Sequence, residues 1–385
     1  MAFEEFGALL SEICAHTPLA KDRPLSWTII ANPQAGGFTI KSRWKKHKIM
    51  LEECLRKARE NPQHAESGPS KTAVREGGEN GRFGLIATKA RGHAAELCRA
   101  LVDEAASANA NSDASANASA SASTYGKRPF HLIITAGGDG TSLEVMTSLF
   151  YAADDVRKDF VILRLPMGTG NDGSDTWELD KALELIIKPS ELRKQRALQL
   201  STSSGKGPFL AFNVLSVGLC AFVTHMTNKM KGKLPGDSYK LWLDIASLFY
   251  DRVYKVDVMD VRAKDAKGNE VKALSEKLLL LAVGESGRRT YGSHKWILPD
   301  ERNVCAVRQM PLLRKVALKE LLNTGGHVNK NEAILWNADS VEFSARHPLL
   351  AQMDGETVLL KEEDYPAKIE LTPPVIPILK LKTPL

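Results

Sequence analysis

Phe130-His131-Leu132-Ile133-Ile134-Thr135-Ala136-Gly137-Gly138-Asp139-Gly140-Thr141 is the stretch whose reading decides the fold. An apolar run of strand length feeds a glycine-rich turn, and residues 142 to 153 then carry a helical pattern. A second such unit follows, in which apolar residues 160 to 165 lead into Pro166-Met167-Gly168-Thr169-Gly170-Asn171-Asp172. Glycines let a backbone approach a ligand closely, and consecutive amides in such a turn form an anion-binding concavity. A carboxylate beside a polyphosphate is repulsive unless a divalent cation stands between them, so Asp139 and Asp172 point to a magnesium-dependent nucleotide site. Phosphoryl transfer is the chemistry this predicts.

Working outward, residues 26 to 31 read as a buried strand closed by Asn32-Pro33-Gln34-Ala35-Gly36-Gly37, and residues 42 to 60 as a basic-faced helix. Residues 84 to 88 form a second expected strand, and residues 92 to 106 the helix that follows it. The repeated strand-turn-helix series predicts an α/β nucleotide-binding domain with a parallel, Rossmann-like sheet and ligands at the carboxyl ends of its strands. Residues 61 to 82, rich in Gly, Pro, Ser and charge, read as a loop. Residues 105 to 124 are almost entirely Ala, Ser and Asn and read as an insertion rather than more helix, because Ser and Asn compete for backbone hydrogen bonds.

Near Leu198 the character changes. Strands are expected at 197–201, 209–217, 253–263, 270–281, 304–310, 333–344 and 349–353, with helical patterns only at 237–250 and 312–323, which favours an antiparallel β-sandwich. The expected domains are an N-terminal helical extension (1–25, with Phe3, Phe6, Leu10 and Ile13 at helical spacing), the nucleotide-binding domain (26–196), the sandwich (197–360) and a C-terminal segment returning to the first domain (361–385).

Bulk properties exclude little. The 385 residues are 43% hydrophobic and 25% charged, and 52 Lys and Arg against 46 Asp and Glu leave a net charge of +6. That modest excess does not demand a nucleic-acid partner. Five cysteines, without a C-x-x-C pair, suit a reduced cytoplasm. The start carries Glu4, Glu5 and Glu12 and no basic leader, and the longest aliphatic run, residues 278 to 283, is far short of the ~20 residues of a spanning helix, so no transmembrane segment is expected.

Taken together, Gly137-Gly138-Asp139-Gly140-Thr141, the turn from Pro166 to Asp172, and Met353-Asp354-Gly355-Glu356 resemble the diacylglycerol kinase catalytic-domain family, which includes bacterial lipid kinases and sphingosine and ceramide kinases. Asn32-Pro33 with Gly36, and Thr88 to Ala94 with its Gly-His-Ala, extend the likeness. The Gly-Gly-Asp-Gly motif is shared with NAD kinases; the later Gly-Thr-Gly-Asn-Asp and Asp-Gly-Glu are similar mainly to the lipid kinases. The resemblance implies an NAD kinase/diacylglycerol kinase-like α/β domain plus a β-sandwich, ATP and Mg²⁺ as cofactors, and a lipid substrate met at a membrane surface by a cytoplasmic, peripherally attached enzyme. Oligomeric state stays open.

It also assigns roles. Asn32, Pro33, Gly36, Gly37, Thr88, Gly137, Gly138, Asp139, Gly140, Thr141, Gly168, Thr169 and Asn171 are expected to hold the nucleotide, Asp139 and Asp172 the metal, and Glu356 or Asp354 the proton of the attacking hydroxyl, with Asp139 supporting catalysis. Read by itself, Asp354-Gly355 is a hairpin turn. The family commonly has Asn at Leu143 and Arg at Asp175, so Lys89, Arg91 or Arg164 would have to supply the missing cation. Cys220 stands where sphingosine-type relatives carry an acid. Asp300 matches one position of a structural metal site, whereas Asn303 and Cys305 fall near the others, so that metal is expected to be absent. Two alternatives remain open at this point: an NAD kinase, and a nucleotide- or lipid-binding regulator without catalysis.

Overall fold

A computed structural model describes residues 2–19, 24–60, 83–116, 129–168, 170–230, 250–253, 255–292 and 294–381. In chain order the main helices are α1 (Ala2–Ala15), α2 (Lys41–Glu60), α3 (His93–Ala116), α4 (Asp139–Tyr151), α5 (Leu179–Ile187), α6 (Leu219–Met230) and α7 (Leu312–Thr324). The strands are β1 (Leu25–Ala31), β2 (Phe83–Ala87), β3 (Phe130–Gly137), β4 (Phe160–Pro166), β5 (Ser190–Gln195), β6 (Leu198–Thr202), β7 (Phe209–Ala211), β8 (Val214–Gly218), β9 (Val258–Lys264) and β10 (Glu270–Gly284). They continue with β11 (Arg289–Tyr291), β12 (Lys295–Leu298), β13 (Val304–Arg308), β14 (Ala333–Trp336), β15 (Ser340–Ala345), β16 (Leu349–Met353), β17 (Glu356–Leu360), β18 (Ala367–Leu371) and β19 (Ile376–Leu381). Two compact units result, Met1–Gln195 with Val375–Leu385, and Arg196–Pro374.

The first unit is an α/β domain with strand order β2-β1-β3-β4-β19-β5. β2, β1, β3 and β4 run parallel in register, and β5 pairs antiparallel with β19. β1, β3 and β4 are buried almost throughout, which is why each reads as an uninterrupted apolar run. One face of the sheet packs Ile29, Leu132, Ile134 and Leu163 against α1, α2 and α5. Phe6, Leu10 and Ile13 of α1 are fully buried there, so the N-terminal helix is part of this core; each such side chain contributes about 1.5–3 kcal/mol. α3 and α4 pack against one another, with Ser148 Oγ donating to Ala95 O at 3.2 Å. α3 runs on to Ala116, against the expectation of an insertion from 105: the helix propensity of its alanines prevails over the interleaved Ser and Asn as far as that residue. The expected loop at 61–82 lies outside the described residues, as does most of the expected helix at 237–250.

The second unit is antiparallel. β10 joins its two halves: Glu270 to Lys277 pair with β9, while Leu278 to Gly284 lie between β8 and β13. This second half is buried on both faces, which accounts for the aliphatic run at 278–283. Leu281 and Val283 face a core shared with Leu200, Val217, Val261 and Phe343, and Leu279, Leu280 and Ala282 face a second one shared with Phe222, Ile297 and Leu318. β18 pairs with β15 and β6, so the unit continues to Pro374 before the chain rejoins the first sheet as β19. Two expected strands are each broken in two: 209–217 into β7 and β8, and 333–344 into β14 and β15.

His327, in the turn after α7, is wholly buried, and burial holds its imidazole below the ordinary value of 6.5 although the Asp300 carboxylate pulls the other way. The unfolded chain therefore takes up this proton at higher pH than the folded one, so the stability is complete above about pH 6.5 and declines as pH falls below it. Melting temperatures measured from pH 8 down to about 5, above the carboxylate range, are expected to drop with a slope that His327→Leu flattens; an unchanged slope in the variant contradicts this origin.

Candidate functional site

In the first unit the loops after β2, β1, β3 and β4 come off the same edge of the sheet, and backbone hydrogen bonds knit them together. The Asn32 amide donates to Ala136 O at 2.9 Å, the Thr88 amide to Ala31 O at 2.8 Å, and the Gly37 amide to Met167 O at 2.9 Å. Asn32 Oδ1 accepts the Gln34 amide at 2.9 Å and so shapes the turn that holds Pro33 and Gly36. Strand order reverses at β1, and the crevice beyond the strand ends at such a reversal is where α/β sheets bind ligands.

The two glycine turns meet backbone to backbone. A Cβ on Gly168 would lie 2.6 Å from Gly138 Cα and 3.1 Å from Gly137 O, so nothing larger than glycine fits. Gly138 caps α4 without any side-chain hydrogen bond to the helix end and has open space at its Cα. Asp139, Gly140 and Thr141 form the first turn of that helix, where amides and helix dipole favour an anion. Asn171 adopts a left-handed φ of 60° and donates from Nδ2 to Pro166 O at 3.2 Å, which anchors the second turn to the end of β4. Thr169 lies outside the described residues.

Asp139 Oδ1 accepts the Gly173 amide at 3.0 Å. A Cβ on Gly170 would lie 3.0 Å from Asp139 Oδ2 and 3.6 Å from Asp172 Oδ2, so the two carboxylates flank one bare Cα. Two acidic oxygens beside an uncapped helix start fit a hydrated divalent cation carrying phosphate oxygens, the usual setting of Mg²⁺. Asp300 holds Arg302, with its Oδ1 accepting the Arg302 amide at 2.9 Å.

Sequence reasoning missed two supports of this edge. Glu144 of α4 accepts the Gly92 amide at 2.7 Å and the Ala94 amide at 3.1 Å, and thereby caps α3 and fixes the loop after Thr88. Asp175 is the second. Its carboxylate accepts the Arg164 amide at 2.7 Å and Arg164 Nη2 at 2.7 Å, and Arg164 also donates to Gln195 Oε1 at 3.0 Å. Both side chains are buried. Arg164 is therefore committed to the interior and cannot supply the cation absent from position 175, whereas Lys89 and Arg91 stand exposed after β2.

In the second unit Asp354 and Gly355 form the two-residue turn between β16 and β17, both with positive φ. Asp354 is buried, and its two oxygens accept the amides of Phe212, Asn213 (3.1 Å) and Val214 (3.0 Å). This is what breaks the expected strand at 209–217. The expectation that Asp354 competes with Glu356 for a substrate proton meets a carboxylate already engaged with three amides. Gln352 braces the same turn, accepting the Gly355 amide at 3.2 Å, and Asn228 and His225 of α6 reach Gly355 O (2.8 Å) and Thr357 Oγ1 (3.2 Å). Burial, then Lys229, hold His225 below its ordinary value. Glu356 opens β17, half-buried beside this braced turn.

A cavity of about 150 Å³ lies within the same unit, lined by Leu219, Val223, Leu280, Val307, Leu318 and Leu322, with Lys295 and Lys319 beside them. Its lining is mostly aliphatic, with Lys295, Lys315 and Lys319 as its charged members.

Residues 78–202 match the family model of the diacylglycerol kinase catalytic domain, as the motifs led one to expect. The comparisons bear out the resemblance and support a lipid kinase. Among curated proteins, "Probable lipid kinase YegS-like" of Yersinia enterocolitica is 27% identical over 232 residues, covering 58% of this chain and 71% of the relative. Its Yersinia pestis (strain Pestoides F) counterpart is 26% identical over 235 residues, with the same coverage. Among solved structures, a diacylglycerol kinase from Bacillus anthracis strain Sterne aligns at a TM-score of 0.50 and 14% identity. A further chain from that organism aligns at 0.54 and 17%; both cover 92% of this chain and 96% of their own. At such identity the structural likeness is one of fold. Among the described residues no helix is long and apolar enough to cross a membrane.

Removing one partner of the Arg164–Asp175 pair leaves a buried charge uncompensated, which typically costs about 3–5 kcal/mol. Asp175→Asn is expected to lose that much in urea unfolding, and Arg164→Met with Asp175→Leu to recover most of it. Equal stability of Asp175→Asn and wild type contradicts the structural role.

Proposed function

We propose that this chain transfers the γ-phosphate of ATP, with Mg²⁺, to the hydroxyl of a lipid alcohol of the diacylglycerol type. The observation that carries the reading is the meeting of the glycine turns around Asp139 and Asp172 at the start of α4, in a chain whose other unit holds an apolar cavity. Bound Mg²⁺-ATP supplies an electrophilic phosphorus and a cation that offsets the charge spread over the transferring group.

The protein's own groups do the rest. Gly137, Gly138, Gly140 and Thr141 wrap phosphate oxygens with amides and a hydroxyl, and Asn32, Pro33, Gly36, Gly37, Thr88, Gly168, Thr169 and Asn171 flank the nucleotide. Asp139 and Asp172 hold the cation. Glu356 accepts the proton of the lipid hydroxyl as it attacks. Asp354 is a positioning residue: bound to the amides of residues 212 to 214, it fixes the turn from which Glu356 projects. The cavity beside α6 and α7 takes up an apolar part of the acceptor, which favours a lipid over the soluble ribose of NAD.

The test is transfer of radiolabelled γ-phosphate to a panel of lipid alcohols in detergent micelles, run beside NAD in plain buffer. Label is expected in a lipid and not in NAD. Glu356→Gln is expected to lower turnover ~10²–10⁴-fold with an unchanged melting temperature, and full turnover in that variant removes the base assignment. Asp139→Asn is expected to abolish the Mg²⁺ dependence together with the activity.

A further inference from the structure

Helix α7 buries Leu318 and leaves its first apolar residues in water. Lys315 is buried, 8% exposed, and paired with Asp251, while Leu313 is 83%, Val316 45% and Leu312 37% exposed. Pro311 and Ala317 are exposed beside them. A leucine left in water forgoes its transfer free energy, and a buried ammonium needs a partner. Among the described residues the other exposed large apolar side chains are scattered; these three share two turns of one element. Scattered apolar residues need no explanation, and clustered ones mark an interaction surface.

We infer that the first two turns of α7 dock on an anionic lipid bilayer. The inference rests on the lipid-acceptor reading above. Leu318, Lys319 and Leu322 of this helix line the apolar cavity, so one helix forms a wall of that cavity and also carries the exposed apolar turns. An acceptor leaving a bilayer keeps its chains out of water when the wall of its cavity is itself in contact with that bilayer. Local charge on the helix is balanced, since Lys315 pairs with Asp251, Arg314 with Glu332, and Lys319 is followed by Glu320; the preference for acidic headgroups comes from the net charge of +6 on the whole chain. Lys319 has a stem long enough to lie along the interface with its charge toward it, while the Arg314 guanidinium is held by Glu332. From Glu320 onward the exposed positions are polar, with Asn323 and Thr324, so contact is confined to the N-terminal half and stays shallow.

The full chain, wild type and Leu313→Glu/Val316→Glu, is sedimented with sucrose-loaded vesicles of pure phosphatidylcholine and of equimolar phosphatidylcholine and phosphatidylglycerol. Wild type is expected to pellet with the mixed vesicles and less with the neutral ones, and the variant to partition at least ~10-fold more weakly. Leu313→Trp is expected to retain binding, and both variants to melt as wild type does, since these side chains are exposed. In turnover, the double variant should lose transfer to an acceptor in vesicles and keep transfer to the same acceptor in detergent micelles. Equal vesicle binding by wild type and variant overturns the inference, as does failure of wild type to pellet. A wild-type dimer in analytical ultracentrifugation that the variant abolishes, with vesicle binding unchanged, also overturns it and gives the face to a second copy. If no lipid is phosphorylated in either presentation, the acceptor reading fails, while sedimentation still decides docking by itself.

Discussion

The functional edge of the first unit depends on a steric constraint: the backbone of Gly168 sits against Gly138 Cα and Gly137 O at a distance that admits no side chain. Because the two turns touch there, the start of α4 and the loop carrying Asp172 form one surface. Asp139 reinforces the contact from its own side by accepting the Gly173 amide. The same contact brings two carboxylates to one bare Cα at Gly170, where a bound cation would offset the repulsion between them. What makes the edge a candidate phosphate site is thus geometry that the sheet imposes, with glycine as the residue that geometry permits.

This half of the molecule was legible in the sequence for a physical reason. Strands buried on both faces give continuous apolar runs, and turns that require close approach carry glycine, so β1, β3 and β4 and their loops announce themselves. β19 did not, because Pro377 lacks an amide and demotes a strand reading, yet it pairs fully with β5. α6 was missed because Val223, Phe222 and two threonines have strand-like preferences that packing overrides. The substitution at position 175 looked like a lost cation. The structure shows a buried ion pair whose partner, Arg164, lies eleven residues earlier on β4, the strand that feeds this loop, a relation no strand or turn pattern encodes.

The second unit illustrates the same limit. That Asp354-Gly355 is a hairpin turn could be read from the dipeptide; that the Asp354 carboxylate organises the amides of residues 212 to 214, about 140 positions away, could not. The span of α7 was also readable, but a helical period reports only that one face differs from the other. It does not say which is inside, and here a lysine is buried and a leucine exposed. Asp354 is engaged with three amides, and the orientation of α7 ties an apolar cavity to an apolar surface.

The most direct measurement of the central claim is a calorimetric titration of Mg²⁺-ATP into wild type and Gly168→Ala. The account predicts saturable binding by wild type, and loss of that binding in the variant while its fold, judged by circular dichroism, persists. Unchanged Mg²⁺-ATP affinity in Gly168→Ala, or no binding by wild type, would contradict it.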